Sequence, residues 1–115
     1  MKPKIKRYHS PDVDLRTYSP VETDNFSFLL QVMVGPDDSD ACESFDIHVC
    51  TPRWLLDNCV APLWGRHMLI VPSYDFRAIE ELIGERCSEC MGKDWLSVAG
   101  NLARFAKWEF EDYRN

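Results

Sequence analysis

The stretch that decides the fold is Phe26-Ser27-Phe28-Leu29-Leu30-Gln31-Val32-Met33-Val34. Every even-numbered position in it is apolar, whereas the odd-numbered positions mix polar and apolar residues. Because successive side chains of a β-strand point to opposite faces, this alternation predicts a strand with one face buried in a core. We expect its second face to be half-covered.

A second alternating run, Glu43–Cys50, follows after a short break in the pattern. Its inward set is predicted to be Phe45, Ile47 and Val49, and its outward set is predicted to be Ser44, Asp46, His48 and Cys50. The residues between the two runs, 35–40, contain Gly, Pro and three Asp, a composition typical of turns. Two alternating runs joined by such a turn predict an antiparallel hairpin.

The flanking segments predict further strands and a short helix. Lys4–His9 is a weak strand candidate and is followed by a long acidic loop. Thr51 is a good N-cap and Pro52 suits a first helical position, so a short helix is predicted to extend to about Asn58. The apolar run Met68–Val71 suggests an interior strand.

Two longer helices are predicted in the C-terminal half. The first covers about 75–90 with Ser73 or Asp75 as its N-cap, and the second covers 94–106 with Asp94 as its N-cap. Their apolar stripes are Phe76, Ile79, Leu82, Ile83, Cys87 and Cys90, and then Trp95, Val98, Ala99, Leu102, Phe105 and Ala106. The expected fold class is α+β. It comprises a mainly antiparallel four- to five-stranded sheet, both longer helices packed on one face, and one short helix.

The tail Lys107-Trp108-Glu109-Phe110-Glu111-Asp112-Tyr113-Arg114-Asn115 interleaves three aromatic residues with three carboxylates. If the last helix continued through the tail, helical spacing would place Glu109 on its apolar face, and burying an unpaired carboxylate is costly. An extended tail removes this conflict, because Trp108 and Phe110 then share one face while Glu109 and Glu111 share the other. We favour a terminal strand added to the sheet, with the helical continuation as the alternative.

Length and charge restrict the classes of function. A chain of 115 residues matches the usual size of one domain, and we expect a single domain over 1–115. The formal net charge is −6, and residues 1–9 hold four basic residues and no acid, which leaves −10 on the rest. An acidic body repels nucleic acid and anionic membranes and attracts basic proteins, although negative charge also serves solubility alone.

The cellular compartment is predicted from three features. No apolar run approaches the roughly 20 residues that span a bilayer, and no signal-peptide pattern follows the basic start. The five cysteines, an odd count without such a signal, favour reduced thiols over a disulfide framework. We therefore expect a cytoplasmic protein.

Candidate chemical sites are few. The CxxC motif Cys87–Cys90 lies at the C-terminal end of its helix and on the apolar stripe, whereas a redox pair normally uses a helix N-terminus, which lowers the thiol pKa. Core packing is therefore predicted for both thiols. The set His48, Cys50, Cys59 and His67 matches no zinc spacing, and no GxSxG, P-loop or GxGxxG motif occurs. We predict no enzymatic activity, no catalytic residue, no metal site and no cofactor.

Recognition of another protein is the remaining function, because aromatic anchors and steering charges are what interfaces use. The predicted contact residues of the tail are Trp108, Glu109, Glu111 and Asp112. The outward row Asp46 and His48 forms a second candidate patch. The alternative for the tail is purely structural, with rings that seal the core and acids that face water.

Several stretches of this chain resemble a known family. They are His9-Ser10-Pro11-Asp12-Val13-Asp14, Asn25–Gln31, Ser44–Leu56, Gly65-Arg66-His67 and Trp108–Arg114. With these stretches the whole chain resembles the immunity protein 8 family of bacterial polymorphic toxin and contact-dependent inhibition systems. The resemblance implies a small α+β protein that is encoded beside a toxin and binds it stoichiometrically. It does not imply an enzymatic activity. It carries over no catalytic or contact residues.

Toxin binding agrees with the charge of the chain. An inhibitor must bind before damage accumulates, and opposite charge speeds the encounter. Toxins that act on nucleic acid are commonly basic, so the expected partner is a cognate toxin domain of basic character, with a nuclease as one candidate class. The oligomeric state is left open. The alternatives are an acidic adaptor module without a toxin partner and, less favoured, a small metal or redox protein.

Overall fold

The computed structural model describes residues 1–111 of the chain. Its strands are β1 (Pro3–His9), β2 (Ser27–Pro36), β3 (Glu43–Cys50), β4 (Met68–Ile70) and β5 (Lys107–Trp108). Its helices are α1 (Pro52–Asn58), α2 (Phe76–Ser88) and α3 (Trp95–Leu102). This is an α+β fold with a mostly antiparallel five-stranded sheet, as the alternating and helical patterns predicted.

The sheet has the order β1-β2-β3-β4, and the second edge of β3 is shared by two strands. The antiparallel strand β5 pairs with Phe45 and Asp46, and the parallel strand β4 pairs with the segment His48–Cys50. The tail therefore enters the sheet as an extended strand, which confirms the preferred alternative for Lys107 and Trp108.

The β2–β3 hairpin is the centre of the sheet, with pairing from Ser27–Cys50 to Val34–Glu43. At its turn a Cβ on Gly35 would lie 1.8 Å from the carbonyl oxygen of Ala41. Only glycine fits so close an approach of two backbone segments, which explains the glycine at the end of the long alternating run.

The core lies between one face of the sheet and helices α2 and α3. The predicted inward residues of β2 and β3 are all buried, and they form one hydrophobic cluster with the helices. The largest contributors are Phe28, Phe45, Leu30, Ile79 and Leu102. The longer helices begin where predicted, since the carboxylates of Asp75 and Asp94 accept hydrogen bonds from Ala78 N–H and Ser97 N–H. Capping residues and apolar spacing thus position both helices.

The structure corrects two predicted elements. The apolar run at Met68–Val71 forms a three-residue strand at the edge of the sheet rather than inside it, and Ile70 is half-exposed. A short apolar run does not by itself distinguish an interior strand from an edge strand. Helix α3 ends at Leu102 rather than at 106, because the next residues turn so that Lys107 can pair with β3.

Two side chains also differ from the expected pattern. Cys50, predicted to face outward, is fully buried, because α1 begins two residues later and β4 pairs alongside it. Leu82, predicted on the buried stripe of α2, is half-exposed. No helix within residues 1–111 combines the length and the apolar character that crossing a membrane requires.

Candidate protein-binding site

The face of the sheet opposite α2 and α3 is the candidate site. Its side chains are half-buried, since α2 and α3 cover only the other face of the sheet. They are Ser27, Leu29, Gln31 and Met33 of β2, and Ser44, Asp46 and His48 of β3. A half-covered surface that mixes polar and apolar side chains has the composition of a protein-binding surface.

Ser44 joins the tail to the outward row of β3. The N–H of Ser44 donates to Oε1 of Glu109 at 2.8 Å, and its carbonyl accepts from the N–H of Glu109 at 3.1 Å. The Ser44 hydroxyl donates to Oδ1 of Asp46 at 2.7 Å. The two patches predicted from the sequence are therefore connected into what we call the acidic strip: Ser44, Asp46 and Glu109. Lys107, the cross-strand partner of Asp46, is a cation at its edge.

His48 continues the same row and links it to α1. Its ring lies perpendicular to the indole of Trp54 with 5.3 Å between the centroids, and its Nε2 is hydrogen-bonded to the hydroxyl of Ser27. Helix α1 buries no residue of its own and so does not belong to the core. His48 therefore helps to hold α1 against the candidate face.

Trp108 and Phe110 of the tail pack against other aromatic rings. Trp108 stacks on Phe45 with 6.4 Å between the ring centroids and 6° between the planes. Phe110, which is partly exposed, meets Trp108 edge-to-face at 6.0 Å. Both carboxylate oxygens of Glu43 accept indole N–H groups, one from Trp95 and one from Trp108. Trp108 is thus half-buried on the core face of the sheet, the face that Phe45 occupies.

Glu111 departs from the predicted outward arrangement. The N–H of Glu111 donates to the carbonyl of Trp108 at 2.9 Å, so the chain turns and the alternation of the extended tail stops at Trp108. The Glu111 side chain is 15% exposed. Its Oε2 lies 2.8 Å from Nη2 of Arg66, and its Oε1 lies 3.7 Å from Nε2 of His67. It does not share an outward face with Glu109. Asp112, the remaining predicted contact residue, lies outside the described residues.

One apolar surface was not anticipated from the sequence. We call it the apolar segment: residues 56–64, which lead from the end of α1 towards β4. Its large side chains are exposed by 83% at Leu56, 96% at Val60, 54% at Leu63 and 94% at Trp64. Their positions match the i, i+4, i+7 and i+8 spacing of one helix face, but α1 ends at Asn58, and the nearby Pro62 and Gly65 could have indicated an exposed apolar loop.

The thiol chemistry is that of buried core residues. Burial, with the nearby Cys90 as a smaller cause, raises the pKa of Cys87 to about 12, and burial also raises the pKa of Cys90. Both side chains lie in the hydrophobic cluster, so the CxxC motif packs as predicted. Nucleophilic and redox cysteines have lowered pKa values instead. Among residues 1–111, no three His, Cys, Asp or Glu side chains are arranged to hold a metal ion.

Comparison with known proteins gives one result. The family model described as immunity protein 8 matches residues 3–113, which is nearly the whole chain. No curated protein and no solved structure matches the chain. The chain belongs to the immunity protein 8 family.

Proposed function

We propose that this member of the immunity protein 8 family neutralises one cognate bacterial toxin by tight, stoichiometric binding. The observation that carries the proposal is the family match over residues 3–113. The protein acts in the cytoplasm as a single domain and performs no reaction on the toxin. Inhibition by binding requires an exposed complementary surface rather than a catalytic pocket.

The acidic strip and His48 are the proposed contact surface. Glu109 is exposed and Asp46 is half-buried, and Ser44 hydrogen-bonds to both carboxylates, so their positions relative to each other are fixed. Fixed charges at an accessible face steer the encounter with an oppositely charged partner. The proposed partner is therefore a basic toxin domain, and a nuclease fits this charge. Trp108, which is half-buried at the edge of the sheet, and Asp112 stay in the proposed contact set.

Glu111 has a supporting rather than a contacting role in this proposal. Its carboxylate is turned towards Arg66 and His67, so it orders the chain just after Glu109. The charge-reversal experiment is for this reason made at Asp46 and Glu109, where a new lysine meets solvent.

The test measures association of the purified protein with the toxin domain encoded beside it. Asp46→Lys combined with Glu109→Lys is expected to slow the association rate about tenfold or more at low salt, with a weaker effect at high salt. Glu81→Lys combined with Glu85→Lys, at two exposed positions of α2, is the matched control, because it changes the net charge by the same amount. The control should change the rate much less.

The outcomes separate the proposal from its alternative. A wild-type protein that forms a 1:1 complex and suppresses the toxin supports immunity. Equal association rates for the Asp46/Glu109 double variant and the Glu81/Glu85 control would show that the acidic strip is not part of the interface. An adaptor module without a toxin partner would show no complex and no protection of cells that express the toxin.

A further inference from the structure

The apolar segment concentrates exposed hydrophobic surface in one place. Four of the eleven large apolar residues that are exposed within residues 1–111 lie in this nine-residue stretch, Leu56, Val60, Leu63 and Trp64. Every residue from 56 to 66 is exposed. Scattered exposed apolar residues are ordinary, but a contiguous group marks a surface that is covered in a complex.

Both ends of the segment are fixed to the sheet by hydrogen bonds. At the start, the hydroxyl of Thr51 caps α1 by accepting the N–H of Trp54 at 3.3 Å, and the N–H of Thr51 donates to the carbonyl of Phe26, next to β2, at 3.2 Å. At the end, the carbonyl of His67 accepts the N–H of His48 at 2.9 Å, and Nε2 of His67 lies 3.2 Å from the carbonyl of Ala103. Fixed ends limit the conformations available to the apolar side chains and reduce the entropy lost on binding.

An acidic cluster flanks the segment where it leaves α1. Asp57 follows Leu56 directly and accepts a 3.2 Å hydrogen bond from Nδ2 of Asn25. Two further acids, Glu22 and Asp24, both pair with Arg53 of the same helix, and Asp24 lies 3.2 Å from its Nη1. Three carboxylates beside one guanidinium leave excess negative charge at this flank. At the other flank, Arg66 is paired with Glu111 at 2.8 Å.

The segment is also continuous with the proposed contact surface. His48 follows Asp46 on the same face of β3 and packs against Trp54 of α1. The acidic strip is therefore connected through His48 and Trp54 to α1, the helix in which the apolar segment begins at Leu56. An apolar centre with an acidic cluster at one end and the Arg66–Glu111 ion pair at the other matches the general anatomy of interfaces, in which aromatic anchors are surrounded by a polar rim.

We propose that the apolar segment is the hydrophobic anchor of the toxin interface, with Trp64 and Val60 as its central contacts. The occupant is an apolar pocket on the toxin domain whose basic rim pairs with Glu22, Asp24 and Asp57. This inference rests on the proposed function and adds the surface that holds the complex together. Steering by the acidic strip governs how fast the complex forms, whereas burial of Trp64 governs how slowly it dissociates.

The test uses the full chain and the toxin domain encoded beside it, with binding kinetics as the readout. Trp64→Ala is expected to raise the Kd at least about 30-fold, mainly through faster dissociation, as for an interface hot spot. Val60→Ser should raise the Kd by a smaller factor. Leu96→Ser is the matched control, because Leu96 is exposed on α3, and it should change the Kd less than about twofold. All three side chains are exposed, so the melting temperatures should stay close to the wild-type value.

Three results would overturn the inference, and they are distinguishable. If wild-type protein does not bind the toxin domain, both the proposed function and the anchor fail. If wild-type protein binds and Trp64→Ala binds equally well, only the anchor fails. If the free protein is a dimer that Trp64→Ala converts to a monomer while toxin affinity stays unchanged, the segment is an interface between copies of this chain.

Discussion

The indole N–H of Trp108 donates a 2.9 Å hydrogen bond to Oε2 of Glu43, which attaches the C-terminal strand to the first residue of β3. The other oxygen of the same carboxylate accepts the indole N–H of Trp95, at the start of α3. One side chain thus holds β3, α3 and β5 together. This arrangement also fixes the turn that carries Glu109.

Removal of the Glu43 carboxylate should destabilise the fold. Glu43→Ala is expected to lower the free energy of unfolding by about 2 kcal/mol, because two half-buried indole N–H groups lose a charged acceptor. Urea denaturation followed by circular dichroism measures the change. Glu43→Gln should lose less, since one carbonyl acceptor remains. Glu89→Ala, which removes only an exposed ion pair of 3.8 Å, serves as the control. Equal stability of Glu43→Ala and wild type would contradict the role given to Glu43.

The two tail acids should respond differently to charge reversal. Glu111→Lys places a cation beside Arg66 and His67, and we expect it to lower the free energy of unfolding by about 1–2 kcal/mol. The exposed guanidinium of Arg66 limits the effect, because solvent screens it. Glu109→Lys removes an exposed acceptor of the Ser44 N–H and should cost less, about 0.5–1 kcal/mol. Thermal denaturation of the two variants compares them directly, and equal losses would argue against the inward position of Glu111.

The cap of α1 should matter for stability although α1 buries no residue. Thr51 is fully buried, and its hydroxyl accepts N–H groups from Trp54 at 3.3 Å and Phe26 at 3.4 Å. Thr51→Ala is expected to cost about 1–2 kcal/mol, whereas Thr51→Ser keeps the acceptor and should cost less. The same variant should weaken toxin binding if α1 positions the apolar segment. Unaltered stability of Thr51→Ala would show that the cap is dispensable.

Thiol alkylation should follow burial and pKa. The raised pKa of Cys87, about 12, means that its thiol is protonated at pH 8 and becomes nucleophilic only as the pH approaches that value. Native protein treated with iodoacetamide at pH 8 should therefore be modified at the exposed Cys59, while Cys87 and Cys90 react only after unfolding. Peptide mass spectrometry identifies the modified sites. Rapid modification of Cys87 in the native protein would instead indicate a reactive thiol in the CxxC motif.

Local patterns were sufficient for most of the fold. The alternation in Phe26–Val34 and Glu43–Cys50 determined the hairpin and its buried face, because a period of two fixes which side chains share a face. Thr51, Asp75 and Asp94 located helix starts, because a capping side chain satisfies N–H groups within its own turn. Lys107 and Trp108 were correctly predicted to be extended, on the argument that a helix would have buried Glu109.

The candidate site was predicted only in fragments. Asp46 and Glu109 were chosen independently, and their connection through Ser44 depends on the pairing of β5 with β3, two segments about sixty residues apart. The inward turn of Glu111 depends on Arg66 in another part of the chain. The apolar segment was not identified, because a cluster of apolar residues reads the same whether it is buried or exposed.

The sequence by itself determined the type and order of the elements, the inward faces of β2 and β3 and the family, because these depend on neighbouring residues and composition. Only the tertiary structure decided that β4 and β5 share one edge of β3, that Cys50 is buried beside α1 and β4, and that Trp64 is exposed to solvent. Those features depend on contacts between residues distant in the chain. Such contacts follow from packing the complete set of elements at once, and no periodicity along the sequence encodes them.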